Sequence, residues 1–350
     1  MIKQTTKQRW KQAVTVWIVI LSFGAWPVWA NADEESELNF FVTPILPDSQ
    51  LEGGATGYFD LNLDAGEQEE LQLRIQNTTA AAIEVEVSAH TAYTNVNGVV
   101  EYGRDAETPD PTLPASIGDL IEAPGVITLE ANEEQIVSMT LTMPEEPFEG
   151  VLAGSIRIIE LIDRQRTAEE GVGIRNDFSF IVGVVASNHR TVTEPGLELL
   201  EVFADQVNYR NVFSATIQNY TPTFVNHLEV EAEVRASGSD EVLYEAHRTG
   251  MQMAPNSHMH FPISLQGNRF RSGDYLLTMV ARSGDDVWEW EQEFRVDAAD
   301  ARRLNEEDVT LEPETNWWLI GGVIVMLLLT IFVVVLIIMK KKNAKEGGDR

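Results

Sequence analysis

The sequence predicts an all-β fold: two tandem Ig-like antiparallel β-sandwiches, preceded by a signal peptide and followed by one C-terminal transmembrane helix. Three observations predict it. Apolar residues recur at every second position through most of the chain. A strand-end motif, Ile75-Gln76-Asn77 with Thr79, returns as Ile217-Gln218-Asn219 with Thr221. And the charge falls into three blocks. The lysines are confined to the two ends, while residues 13–339 hold 16 arginines against 53 acids, net −37.

The first element is residues 1–32. Lys3, Lys7, Arg9 and Lys11 precede an apolar run from Ala13 to Val28, then Trp29-Ala30-Asn31-Ala32. Basic, apolar, then small-x-small is the order of a secretory signal peptide cleaved after Ala32. Trp29 crowds that cleavage site, so an uncleaved anchor is the alternative.

Residues 33–188 and 189–298 are the two sandwiches. Leu71–Asn77, Ile83–Val87, Val137–Met143 and Leu228–Val234 alternate apolar and polar residues, as strands with one face on a core do. Phe178–Ala186 is instead continuously apolar, which predicts a strand covered on both faces. The pattern gives about eight strands in the first unit and about seven in the second. The motif repeat extends further: Ala131-Asn132 corresponds to Pro255-Asn256, and Phe148-Glu149-Gly150 to Arg271-Ser272-Gly273. Two sandwiches of one topology fit these matches if the first carries about 18 extra residues near 93–125.

The remaining elements follow in order. Residues 299–316 are a short helix and stalk. Trp317–Met339 is 23 residues without a charge, about 35 Å of helix and enough to cross a bilayer core. Residues 340–350 are a basic tail, cytoplasmic by the positive-inside rule. The chain therefore reads as a single-pass type I cell-membrane protein.

Composition excludes several classes. With no cysteine there is no disulfide frame, thiolate metal site or cysteine nucleophile. The acidic excess argues against nucleic acid. An exported domain of this size without disulfides points to a bacterial envelope, and one membrane to cross points to a Gram-positive one.

Few residues suggest chemistry. In the insertion, Tyr93, Asn95, Asn97, Tyr102 and Arg104 suit a bound saccharide, and a long proline-containing loop is often functional. Tyrosines packed down on the sandwich are the plainer account. Asp60–Gly66 resembles a calcium loop, but Ala65 stands where the loop needs glycine, and the leucines describe a strand. His258 and His260 share a strand face with no third ligand nearby in sequence. The acids at 289, 291 and 293 mark a wet face opposite Trp288, Trp290 and Phe294. No nucleophile elbow, phosphate loop or metalloprotease helix is present, so no enzyme, cofactor or metal is expected.

Several stretches in order resemble one family: Phe41-Val42-Thr43-Pro44 with Pro47, Gly57–Leu61, Ile75–Asn77 and Ala92–Tyr102, then Ile217–Asn219, Met253–Ser257, Arg271–Tyr275, Trp288–Trp290, Phe294 and Leu304-Asn305. Together they are similar to the WxL-interacting proteins. That resemblance implies a Gram-positive surface protein whose first domain binds peptidoglycan and whose second binds host extracellular proteins. It also implies partners: secreted WxL-domain proteins retained at the cell wall. A subunit of a metal-assisted wall-polymer-modifying enzyme, or an envelope sensor, is the competing reading.

Overall fold

The computed structural model describes residues 38–53, 56–161, 178–311 and 317–346. The expected signal peptide, residues 312–316 of the stalk and the last four residues of the tail lie outside that set.

The first eleven strands are β1 (Phe40–Ile45), β2 (Phe59–Asn62), β3 (Gln68–Asn77), β4 (Ile83–Thr91), β5 (Tyr93–Thr94), β6 (Val100–Glu101), β7 (Ile121–Glu122), β8 (Gly125–Leu129), β9 (Glu134–Thr142), β10 (Leu152–Glu160) and β11 (Ser179–Ser187). A single helical turn, α1 (Ile117–Leu120), sits before β7. Sheet order is β1-β3-β9-β7 against β2-β11-β10-β4-β8, with β5-β6 as a separate hairpin. The three two-residue strands in the insertion account for the excess over eight.

The second sandwich holds β12 (Leu197–Val207), β13 (Arg210–Asn219), β14 (Val225–Ala236), β15 (Val242–Met253), β16 (Ser257–Ser264), β17 (Gly273–Ser283) and β18 (Asp286–Val296). Its sheets are β12-β13-β16 and β15-β14-β17-β18. The two topologies correspond strand for strand: β1 with β12, β3 with β13, β4 with β14, β8 with β15, β9 with β16, β10 with β17, β11 with β18. The extra residues of the first unit fall between β4 and β8, where the repeat placed them. The one departure from antiparallel pairing among the named ladders is β2, which runs parallel to β11.

Each sandwich has its own core. Phe40, Phe59, Leu71, Leu73, Ile75, Val85, Ile156 and Val184 fill the first, and Phe213, Ile217, Val230, Val234, Phe261, Leu277 and Met279 the second. At about 25 cal/mol per Å² of apolar surface, each fully buried side chain contributes roughly 1.5–3 kcal/mol. The calcium-like stretch is strand only through Asn62, in β2, and then turns; Leu61 and Leu63 are both buried. Trp288 and Trp290 are half-buried against the second core, while Glu289, Glu291 and Glu293 are exposed. One expectation fails. β11 is not covered on both faces, because Ile181 is 47% exposed. Tyr58 lies over Gly183 and Gly103 approaches Ile181, so segments before β2 and after β6 shield only part of its outer face.

The repeated asparagines are structural. Asn77 closes β3 and is fully buried. Its Nδ2 donates to the carbonyls of Ala81 and Glu130, both at 2.8 Å, and its Oδ1 accepts from Thr79 N and Oγ1. Asn219 closes β13 in the same way, donating to Thr223 O (2.7 Å) and Ala254 O (2.8 Å) and accepting from Thr221. Asn132 and Asn256, the second matched pair, both take left-handed backbones, and their N–H groups bond Thr79 O and Thr221 O. The resemblance between the halves thus reflects one turn, built twice to satisfy buried carbonyls.

After β18, α2 (Ala298–Glu307) packs Ala301 and Leu304 on the second core. Asp308 then accepts a hydrogen bond from Asn211 N at 2.8 Å, and Val309 N donates to Tyr209 O. Burial alone would raise the Asp308 pKa, but hydrogen bonds from Thr310 and from the Asn211, Thr310 and Leu311 backbone lower it. Helix α3 (Trp317–Glu346) follows; Ile320–Ile337 within it is apolar and long enough to cross a membrane.

Candidate functional site

The insertion between β4 and β8 does not hang free. It reaches across to the second sandwich and forms one wall of a cleft between the two. Hairpin β5–β6 turns at Asn97-Gly98, as its sequence demands, with Gly98 at φ +69°. Asn95 builds the turn: Oδ1 accepts from Asn97 N (2.9 Å) and Val99 N (3.2 Å), and Nδ2 donates to Glu101 at 2.9 Å.

The hairpin tip lies on β15, where Gly98 O accepts from Gln252 N at 2.8 Å and Val96 O from Arg248. Gly98 lies so close to Met251 that a Cβ would stand 2.5 Å from its side chain. Thr94 Oγ1 bonds both Ser257 Oγ (2.7 Å) and Ala254 N (3.0 Å). A small apolar cluster of Ala92, Val100, Ala153 and Ala254 seals the seam, with Tyr102 and Phe224 against it. At its other side Val151 N donates to Pro222 O.

The most enclosed contact is Asp110, whose side chain is 1% exposed. It accepts hydrogen bonds from His258 Nδ1 (2.9 Å), Gln218 Nε2 (2.9 and 3.0 Å), and Thr112 N (2.9 Å) and Oγ1 (2.6 Å). Burial would raise its pKa, but the bonds from His258, Thr112 and Gln218 outweigh burial and hold it at about 2. Asn256 Nδ2 donates to Thr112 O at 3.0 Å and so fixes the same strap.

The cleft beside this seam measures about 530 Å³. Of the residues singled out in sequence, Tyr93, Asn95 and Arg104 line it, and Asn97 and Tyr102 do not. Arg104 Nε donates to Tyr93 Oη at 2.8 Å, with its guanidinium 5.9 Å from the ring centre. Tyr102 is half-buried, and burial, with Tyr58 adding, raises its pKa. Its carbonyl accepts from Ser155 Oγ.

His258 and His260 do share a face, their ring centres 5.9 Å apart, and both line the cleft. The carboxylate that sequence spacing could not supply arrives from Asp110, 148 positions away. His260 bonds Thr216 Oγ1 at 2.9 Å; burial, then the neighbouring His258, lower its pKa. Asp110, Gln218 and Asn256 were missed as a group. The only local trace was the turn chemistry of Pro109-Asp110-Pro111-Thr112.

One group among the described residues has ligand atoms close enough for a cation: Glu229, Glu231 and His247, on the outer face of β14 and β15. His247 Nε2 bonds Glu229 Oε1 at 2.7 Å, and Glu231 pairs with Arg282 at 3.4 Å. The first is a surface hydrogen bond and the second a surface ion pair, both on a half-exposed face.

Comparison with known proteins adds the family. No curated protein matches the sequence. Weakly similar solved structures include the YadV chaperone, 13% identical over 74% of this chain and 100% of that one, at a TM-score of 0.29. A chain of the CsuC–CsuE chaperone–tip adhesion subunit complex of Acinetobacter baumannii is 14% identical over 73% and 98%, at 0.33. The E. coli chaperone DraB is 11% identical over 69% and 95%, at 0.27.

Two family models match in sequence order. Residues 40–160 match the peptidoglycan binding domain of the WxL Interacting Protein, and residues 169–306 match its host binding domain. β11 falls inside the second span yet pairs with β10 and β2 in the first sandwich. Both models describe binding domains, and together they cover well over half of the chain, which belongs to the WxL-interacting protein family.

Proposed function

We propose that this protein is a membrane-anchored, non-enzymatic surface scaffold that retains secreted WxL-domain proteins at the cell wall. The first sandwich holds peptidoglycan, and the second is free to engage a WxL-domain protein or a host extracellular protein. Residues 1–32 are removed on export, α3 crosses the membrane once, and the lysines after Met339 stay inside. The observation that carries the reading is order: a peptidoglycan-binding match, a host-binding match, then a 30-residue helix with a long apolar stretch. The cleft lined by Tyr93, Asn95 and Arg104 is the proposed wall-polymer site.

The test is cell fractionation. In cells making the full chain, a WxL-domain protein of the same strain should sediment with envelopes. In cells making a chain that stops after Asn316, both proteins should leave the membrane fraction and be held by the wall alone. Retention of the WxL-domain protein in cells that lack the chain altogether would remove the scaffold role.

A further inference from the structure

The unfilled groups of the cleft are of one chemical kind. Glu107 and Asp119 line it, and neither carboxylate has a partner among the described residues. Asn256 is 5% exposed and also lines it; its Nδ2 is spent on the seam while Oδ1 accepts nothing. Since a carboxylate only accepts, His258 donates to Asp110 through Nδ1 and that nitrogen is spent on the seam. The one guanidinium lining the cleft, Arg104, is already turned onto Tyr93. A sugar would want an open aromatic face, and Arg104 lies over that of Tyr93. A lining with two uncommitted carboxylates and an unfilled amide oxygen suits a ligand that brings N–H groups and positive charge.

No ammonium from residues 13–339 can fill the cleft, for they contain no lysine. The cleft is also larger than one ammonium needs, within the range of small-ligand sites. Along one wall runs β16, the last strand of its sheet, paired on one side only. Such an edge offers backbone N–H and C=O groups to an added extended chain. We infer that the cleft binds an extended peptide through a free side-chain ammonium, seated between Glu107 and Asp119, with its backbone along β16. This rests on the wall-polymer reading above and sharpens it: the recognised part of peptidoglycan is the amine-bearing peptide stem, not the glycan strand.

The experiment is calorimetric titration of the full chain in detergent micelles. The probes are released peptide stems with the amine free, the same stems after N-acetylation, peptide-free glycan strands, and a lysine-containing peptide of ordinary L-residues. Free-amine stems should bind at least tenfold tighter than acetylated ones, and the difference should vanish in E107Q/D119N and shrink with added salt. Both replaced residues are exposed, and an unchanged melting temperature verifies the fold of the variant.

Equal binding of acetylated stems, or binding of glycan strands alone, overturns the inference. Preference for the L-lysine peptide over the stems overturns the assignment to wall polymer. If no soluble probe binds while purified whole walls still retain the chain, the inference fails and the wall-binding reading survives. If whole walls do not retain it, that reading fails too.

Discussion

Asp110 of the insertion and His258 of β16 meet at 2.9 Å across the seam between the sandwiches, and the carboxylate is nearly closed to solvent. A buried carboxylate with hydrogen bonds from four donor groups is stable only when ionised. Its folded-state pKa, about 2, lies below the ordinary value of 3.8. Its contribution is therefore complete above about pH 4 and is lost as the pH falls from there toward 2. Melting of the full chain should show an acid-side loss of about 2 kcal/mol that is absent in Asp110→Asn.

Asp110→Ala should do more than destabilise. It strands the donors of His258, Gln218 and Thr112, at a cost of about 2–3 kcal/mol. That cost falls on the seam and not on either core. The two cores share no residue, so differential scanning calorimetry should resolve two transitions where the native chain gives one. A single transition shifted as a whole would show that the sandwiches are coupled by other contacts.

Gly150 tests the seam from its far side. Its φ is +72°, and a Cβ would stand 2.2 Å from Pro222 O, a backbone atom with little room to yield. Gly150→Ala should cost roughly 2 kcal/mol or more and loosen the Val151–Pro222 hydrogen bond. Faster amide exchange at Val151, with β3 and β9 unchanged, is the expected signature.

The paired asparagines should behave alike. Asn77→Ala and Asn219→Ala each leave buried carbonyls without donors, and each should cost about 2–4 kcal/mol in urea denaturation. Both sit in Asn-x-Thr sequons, yet both are fully buried. Passage of the folded chain through a glycosylating pathway should leave them unmodified.

The Glu229–Glu231–His247 group should be dispensable to the fold. His247 and Glu231 are about half exposed, and exposed pairs contribute little. His247→Ala should change stability by less than about 0.5 kcal/mol, and a chelator should leave the melting temperature of the full chain unchanged. A drop of several degrees on chelation would establish a bound metal.

Strands, their correspondence and the two helices after Val296 were legible because period-2 alternation and turn residues act locally. Asn77 and Asn219 could be matched by eye, since the Asn-x-Thr turn each builds is local, although each also reaches a distant carbonyl, at Glu130 and Ala254. The cleft could not. Asp110 finds His258 and Gln218 only after both sandwiches have formed, and no periodicity relates polar residues more than a hundred positions apart. The insertion was recognised as unusual, but which of its side chains faced the cleft depended on a neighbour it did not encode. Ile117 and Ile121 buried themselves in the first core. Excising 103–122 would thus open that core, and point substitutions are the cleaner probe. Ile181 was misread because a continuous apolar run does not say which face is covered.

The two ends of β13 have different neighbours. Gln218, near its last residue, is tied to the insertion through Asp110, while Asn211, near its first, is tied through Asp308 to the chain leading into α3. The strand between them spans about 23 Å and is hydrogen-bonded on both sides, to β12 and β16. A pull on anything held in the cleft, resisted at α3, would run lengthwise along β13. Its ladders would be loaded in shear, with many bonds sharing the tension at once, instead of being unzipped one after another. The second sandwich is thereby placed as a mechanical link whose strongest axis lies along the line of force.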